Sequence, residues 1–127
     1  VIEWNKGPLA PFAGNPLDDK RSELVQGDVA KAIRGARDVY DSIMLDVDNG
    51  PSPLVSERNA WLYTDHGLQA IRGALKNGGR VAIWSADDEP RFMSRMKRNG
   101  FRAEKHLIQA HKGKGGIRHV IFTGRKT

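Results

Sequence analysis

The chain has no cysteine among its 127 residues. That excludes disulfides, thiolate metal sites and a cysteine nucleophile, and it fits a cytoplasmic protein. No apolar run approaches the roughly 18 residues a membrane-spanning helix needs. The N-terminus offers Glu3 and Trp4 where a secretory signal would be basic and then apolar, so no leader is expected. His66, His106, His111 and His119 lack the short spacings of a metal set, and no metal is expected. Phosphate-loop, G-x-S-x-G and H-E-x-x-H patterns are also missing. The glycine-rich stretch from Lys112 to Gly116 has neither the Ser/Thr nor the strand–helix context of a phosphate cradle, and it reads as a flexible hairpin connection.

Acidic side chains are scarce in the C-terminal third. Residues 91–127 hold 11 basic residues and one acid, a net charge of +10, whereas residues 1–90 hold 10 basic and 14 acidic residues, a net of −4. Such a tail can attract nucleic acid or another acidic partner. No aromatics are interleaved with the charges, as single-strand binding would need. A solvated basic face is therefore the favoured reading, with nucleic acid an unlikely partner.

What is present is a single α/β domain over residues 1–127, with short apolar runs alternating with helical stretches. Val1 to Trp4 reads as the end of a strand, and Lys6 to Asp19, with Pro8, Pro11 and Pro16, as loop. Ser22 to Gln26 is a second strand candidate. Gly27-Asp28 then opens a short helix with Val29, Ala32 and Ile33 on one face. Asp41 to Val47 predicts a buried central strand, broken by Asp48-Asn49-Gly50-Pro51. Asp65 to Lys76 predicts a helix burying Leu68, Ile71, Ala74 and Leu75, with Asn77-Gly78-Gly79 as its C-cap. Arg80 to Ser85 is a strand. A helix from about Glu89 to Arg98, capped by Ser85 or an Asp after it, ends at Asn99-Gly100. His106–Ala110 and His119–Gly124 close the pattern as strands.

The chemistry-bearing residues gather at expected strand ends, where open α/β sheets bind ligands. Glu3 at a strand tip can accept both hydroxyls of a ribose, or be a solvated end. Asp28 can cap its helix, accept from an adenine amine, or do both. Asp46 and Asp48 lie on one side of an apolar strand at its carboxyl end. A pair of carboxylates there suits binding and deprotonating a cationic amine; one of them could instead cap the following turn. Trp61 and Tyr63 can wall a substrate crevice or pack in the core.

The succession Val1-Ile2-Glu3, Gly27-Asp28, Tyr40-Asp41, Leu45-Asp46-Val47-Asp48-Asn49-Gly50-Pro51 and Leu62-Tyr63, with a late Gly-Gly-Ile, resembles the polyamine aminopropyltransferases, the spermidine synthase family. The resemblance implies a Rossmann-like, class I methyltransferase sheet with flanking helices, lacking its first strand and helix. It implies a transferase of polyamine biosynthesis that moves an aminopropyl group from decarboxylated S-adenosylmethionine to an amine. Glu3 would hold the cofactor ribose, Gly27 and Asp28 the adenine, Asp46 would be the catalytic base, and Asp48 and Tyr63 would bind substrate. A small-molecule amine and a second copy of the chain are the implied partners. An S-adenosylmethionine-dependent small-molecule methyltransferase and a non-enzymatic basic binding module are the alternatives. The family usually spaces its two acids three residues apart in Asp-Ser-(Ser/Thr)-Asp-Pro, against the Asp46-Val47-Asp48 found here. Its glycine-rich cofactor loop has no match, so these residues alone are expected to be inactive. The family strand order, 3-2-1-4-5-7-6, would lack its central strand and leave buried-type edges exposed.

Overall fold

The computed structural model describes residues 1–47, 50–51, 57–109 and 118–127. In chain order, the elements are helix α1 (Ile2–Lys6), 3-10 turns at Pro11–Ala13 and Pro16–Asp18, α2 (Val29–Gly35) and strand β1 (Tyr40–Leu45). Then follow α3 (Glu57–Ala60), a 3-10 turn at Trp61–Tyr63, α4 (Asp65–Ala74), β2 (Leu75–Ser85), α5 (Pro90–Arg98), β3 (Phe101–Gln109) and β4 (Arg118–Lys126). The four strands form one sheet in the order β1-β2-β4-β3. β1 and β2 run parallel, joined by the α3–α4 crossover, and β4 is antiparallel to both β2 and β3. Among the described residues no helix is long and apolar enough to cross a membrane.

Helices α2, α4 and α5 cover one face of the sheet. Ala30 and Ile33 from α2, Leu68, Ile71 and Ala74 from α4, and Phe92 and Met96 from α5 are buried against Leu45, Val81, Ile83, Phe101, Val120 and Phe122 of the strands. Phe92 stands edge-on to Phe122, with ring centroids 5.2 Å apart, and edge-on to Tyr63 at 6.0 Å. All four apolar positions expected for α4 are buried, although Leu75 opens β2 instead of closing the helix. On α2 the buried pair is Ala30 and Ile33, and Ala32 faces out.

Two expected strands are absent. Ile2–Trp4 belongs to helix α1 with Val1 as its N-cap, and Ser22–Gln26 forms no strand. The cause is the sheet edge: a strand satisfies its backbone only through a neighbour, and among the described residues no strand lies outside β1. The first residues turn inward instead, with the Asn5 backbone N–H and side-chain amide both donating to the Val1 carbonyl at 3.1 and 3.0 Å. For the same reason β1 is an edge strand rather than a buried central one. Leu45 is buried, whereas Met44 on the other face is 84% exposed.

Asn77-Gly78-Gly79 is no helix cap either. The register steps from Tyr40↔Leu75 to Ser42↔Arg80, so these residues form a bulge within β2. Gly78 supplies the positive φ of 75° it requires, and a Cβ on Gly79 would fall 2.8 Å from the Lys76 carbonyl oxygen. α5 begins as expected, but Glu89 precedes it without a side-chain cap. The Ser85 hydroxyl closes a turn of its own, donating to the Asp87 carbonyl at 2.7 Å. Of the expected final strands, residues 106–109 lie within β3 and His119–Gly124 within β4; Ala110 and Lys112–Gly116 lie outside the described residues.

Candidate active site

The carboxyl ends of the parallel pair β1 and β2 lie side by side, with Leu45 opposite Ile83. Asp46 follows directly, exposed at the tip of β1, while Val47 turns back against the core. The chain after it meets β2 again at Gly50. This residue is buried with φ 86°, and a Cβ there would lie 2.5 Å from the Ser85 hydroxyl oxygen. Ser85 is fully buried and also accepts from the Asp87 backbone N–H at 3.3 Å. Gly50 and Ser85 thus hold the chain that follows Asp46 against the end of β2. The sequence signal for this approach is the glycine in Asp48-Asn49-Gly50-Pro51.

Asp28 caps α2, accepting from the Ala30 backbone N–H at 2.8 Å. One carboxylate oxygen is engaged in this way, and Asp28 itself is exposed. Gly27 has open space around the position of a Cβ. Glu3 sits on the exposed helix α1 and not at a strand tip. Asp48 lies outside the described residues. Tyr63 is 4% exposed, and its ring is packed against Phe92 in the core. The Tyr63 carbonyl accepts from the Arg95 guanidinium at 2.8 Å. Trp61 is half-buried beneath the Arg34 guanidinium, which lies 3.8 Å from its ring centre.

A second polar cluster fixes the start of α4. Asp65, in its first turn, accepts from the Asn99 side-chain amide at 2.5 Å and from the Arg98 guanidinium at 2.9 Å. The Asn99 amide, then the Arg98 and Arg95 cations, hold its carboxyl below the ordinary value of 3.8. The cluster ties the last turn of α5 to the first turn of α4.

A four-stranded sheet with a parallel pair, an antiparallel hairpin and helices on one face, with Asp46 beyond the carboxyl end of β1, is a methyltransferase-type α/β fold. Solved structures agree. A spermidine synthase in complex with the transition-state analogue AdoDATO superposes with a TM-score of 0.76 at 22% identity, covering 99% of this chain and 43% of that one. The spermidine synthase from Thermotoga maritima gives 0.70 at 21% identity, covering 99% of this chain and 41% of that one. The Burkholderia thailandensis 1,6-didemethyltoxoflavin-N1-methyltransferase gives 0.62 at 16%, covering 95% and 57%.

In sequence the chain is similar to polyamine aminopropyltransferases. It is 35% identical over 81 residues to that of Saccharolobus islandicus (strain L.S.2.15 / Lassen #1) and 31% identical over 81 residues to that of Saccharolobus solfataricus. These matches cover 64% of this chain and 26% of each relative, so the chain matches about a quarter of their length. No family model matches it.

Proposed function

We propose that this chain carries the acid-bearing part of an aminopropyl-transfer site, with Asp46 as the base. The observation that carries the reading is Asp46 itself: an exposed carboxylate at the carboxyl tip of β1, beside a parallel neighbour, in a chain similar to polyamine aminopropyltransferases. The co-substrate is decarboxylated S-adenosylmethionine and the acceptor a small amine. The uncharged amine nitrogen attacks the carbon next to the sulfonium. A C–N bond forms and the C–S bond breaks, its electron pair going to sulfur and leaving methylthioadenosine. The proton lost from nitrogen passes to the Asp46 carboxylate. Asp28 keeps a free oxygen for the adenine amine, and the open surroundings of Gly27 let a flat ring approach. Glu3, on helix α1 rather than at a strand tip, and Tyr63, packed in the core, are not assigned to the site.

A full-length protein that contains these residues is incubated with putrescine and decarboxylated S-adenosylmethionine. Methylthioadenosine and spermidine should form together, and Asp46→Asn should lower kcat by about 10²–10⁴ with little change in the affinity for the co-substrate. Calorimetric binding of the co-substrate without any methylthioadenosine would overturn the assignment. The similarity in fold to a methyltransferase supports a second reading, S-adenosylmethionine-dependent methyl transfer. Tighter binding of the carboxyl-bearing cofactor than of its decarboxylated form would favour it.

A further inference from the structure

Ser85 is the last residue of β2 and is fully buried. A hydroxyl taken out of water is costly unless it is bonded. Its Oγ donates to the Asp87 carbonyl at 2.7 Å and accepts from the Asp87 backbone N–H at 3.3 Å. Both bonds run to the chain just beyond β2, so the turn there is closed on the serine.

The serine also meets Gly50. The three heavy atoms nearest to where a Cβ on Gly50 would stand are Ser85 Oγ, Cβ and Cα, at 2.5, 2.6 and 2.7 Å. The Gly50 backbone therefore lies directly on the serine, with a φ of 86° that glycine adopts without strain.

Asp46 lies between this contact and the sheet. Leu45, just before it, is buried and is the register partner of Ile83; Val47, just after it, packs against the core. Ser85 follows Ile83 by two positions and so shares its face of β2. Gly50 comes only four positions after Asp46. A segment this short, fixed at Leu45, Val47 and Gly50, gives the Asp46 backbone little travel. The exposed carboxylate is thus aimed by buried groups. A base must come within about 2.6–3.2 Å of the atom whose proton it takes, and a misplacement of about 1 Å can cost about a hundredfold in rate.

We propose that Ser85 is a positioning residue for aminopropyl transfer: its side chain, seated under Gly50, sets where the Asp46 carboxylate stands. The role rests on the transfer reading above, since Asp46 is the base only there. Ser85 acts through Gly50 and not by contact with the amine.

The test uses a full-length protein that contains these residues. Ser85→Val, which widens the seat under Gly50, should lower kcat at least about tenfold, while calorimetric affinity for decarboxylated S-adenosylmethionine stays that of the parent. Added to Asp46→Asn, Ser85→Val should cause no further loss, because a residue that works through a carboxylate has nothing to place once that carboxylate is gone. Should Ser85→Val fail to fold by circular dichroism, Ser85→Thr, which keeps the hydroxyl and adds one methyl, gives the same comparison with a smaller loss. Losses that multiply in the double variant, an undiminished kcat in the single one, or a parallel loss of co-substrate affinity would overturn the positioning role and leave Asp46 as the base. Full activity of Asp46→Asn alone would instead overturn the transfer reading, and this role with it.

Discussion

Residues 1–28 and residues 62–103 follow opposite rules. In the first segment no residue is buried, and Phe12 remains 90% exposed despite a sequence no poorer in apolar side chains than many strands. In the second, the apolar positions that sequence periodicity marks out are nearly all inside. The difference is lateral. α4, β2, α5 and β3 find partners close in sequence: α4 leads into β2 and α5 into β3. The first 28 residues carry strand-like patterns whose pairing neighbour is not among the strands of the sheet. A strand pattern specifies a face, and a second chain segment must supply its edge.

This contrast can be broken most forcefully at Phe122. Phe122→Ala removes a fully buried ring that packs against Phe92. It should lower stability by about 3–5 kcal/mol in urea unfolding, while Phe12→Ala should stay within about 0.5 kcal/mol of the parent. A comparable loss at Phe12 would mean that the first segment is packed in solution. Gly67→Ala comes next. A Cβ there would collide with the backbone carbonyls of Trp61 and Leu62, so about 1–3 kcal/mol should be lost. The cap at Asp28 is worth about 1 kcal/mol. Asp28→Ala should show that loss in thermal unfolding, whereas Asp28→Asn should keep the cap and weaken only co-substrate binding. Equal loss of binding and stability in both variants would make Asp28 purely structural.

The smallest effect concerns pH. The folded state holds the Asp65 carboxyl below its ordinary value of 3.8, through Asn99 first and then the arginines. Its contribution is therefore complete above about pH 4 and is lost as pH falls through the lower folded value. Asp65→Asn should flatten the acid limb of the stability curve below the ordinary carboxylate range. An unchanged limb would show that solvent screens this exposed cluster completely.

The sequence made legible what depends on short-range pattern. The α4 stripe, the Asp28 cap, the Asn99-Gly100 stop and the β3–β4 pair could all be read before any coordinates. Asp46 at a strand end could be read in the same way, because an acid closing an apolar run is a local signal. What misled were features decided at a distance. Val1–Trp4 and Ser22–Gln26 have strand-like composition but no neighbour. Gly78-Gly79 has the chemistry of a helix cap, yet the register of β1 against β2 turns it into a bulge. Tyr63 looked equally suited to a crevice wall and to the core, and Phe92 and Arg95 decided for the core.

Gly50 leaves no clearance above Ser85. The ends of β1 and β2 therefore behave as one mechanical joint, and neither can be redesigned alone. Enlarging either residue would swing the proposed base away from whatever it serves without touching the carboxylate itself. A variant library at positions 50 and 85 would then separate how far catalysis depends on where the acid stands from how far it depends on the acid being there.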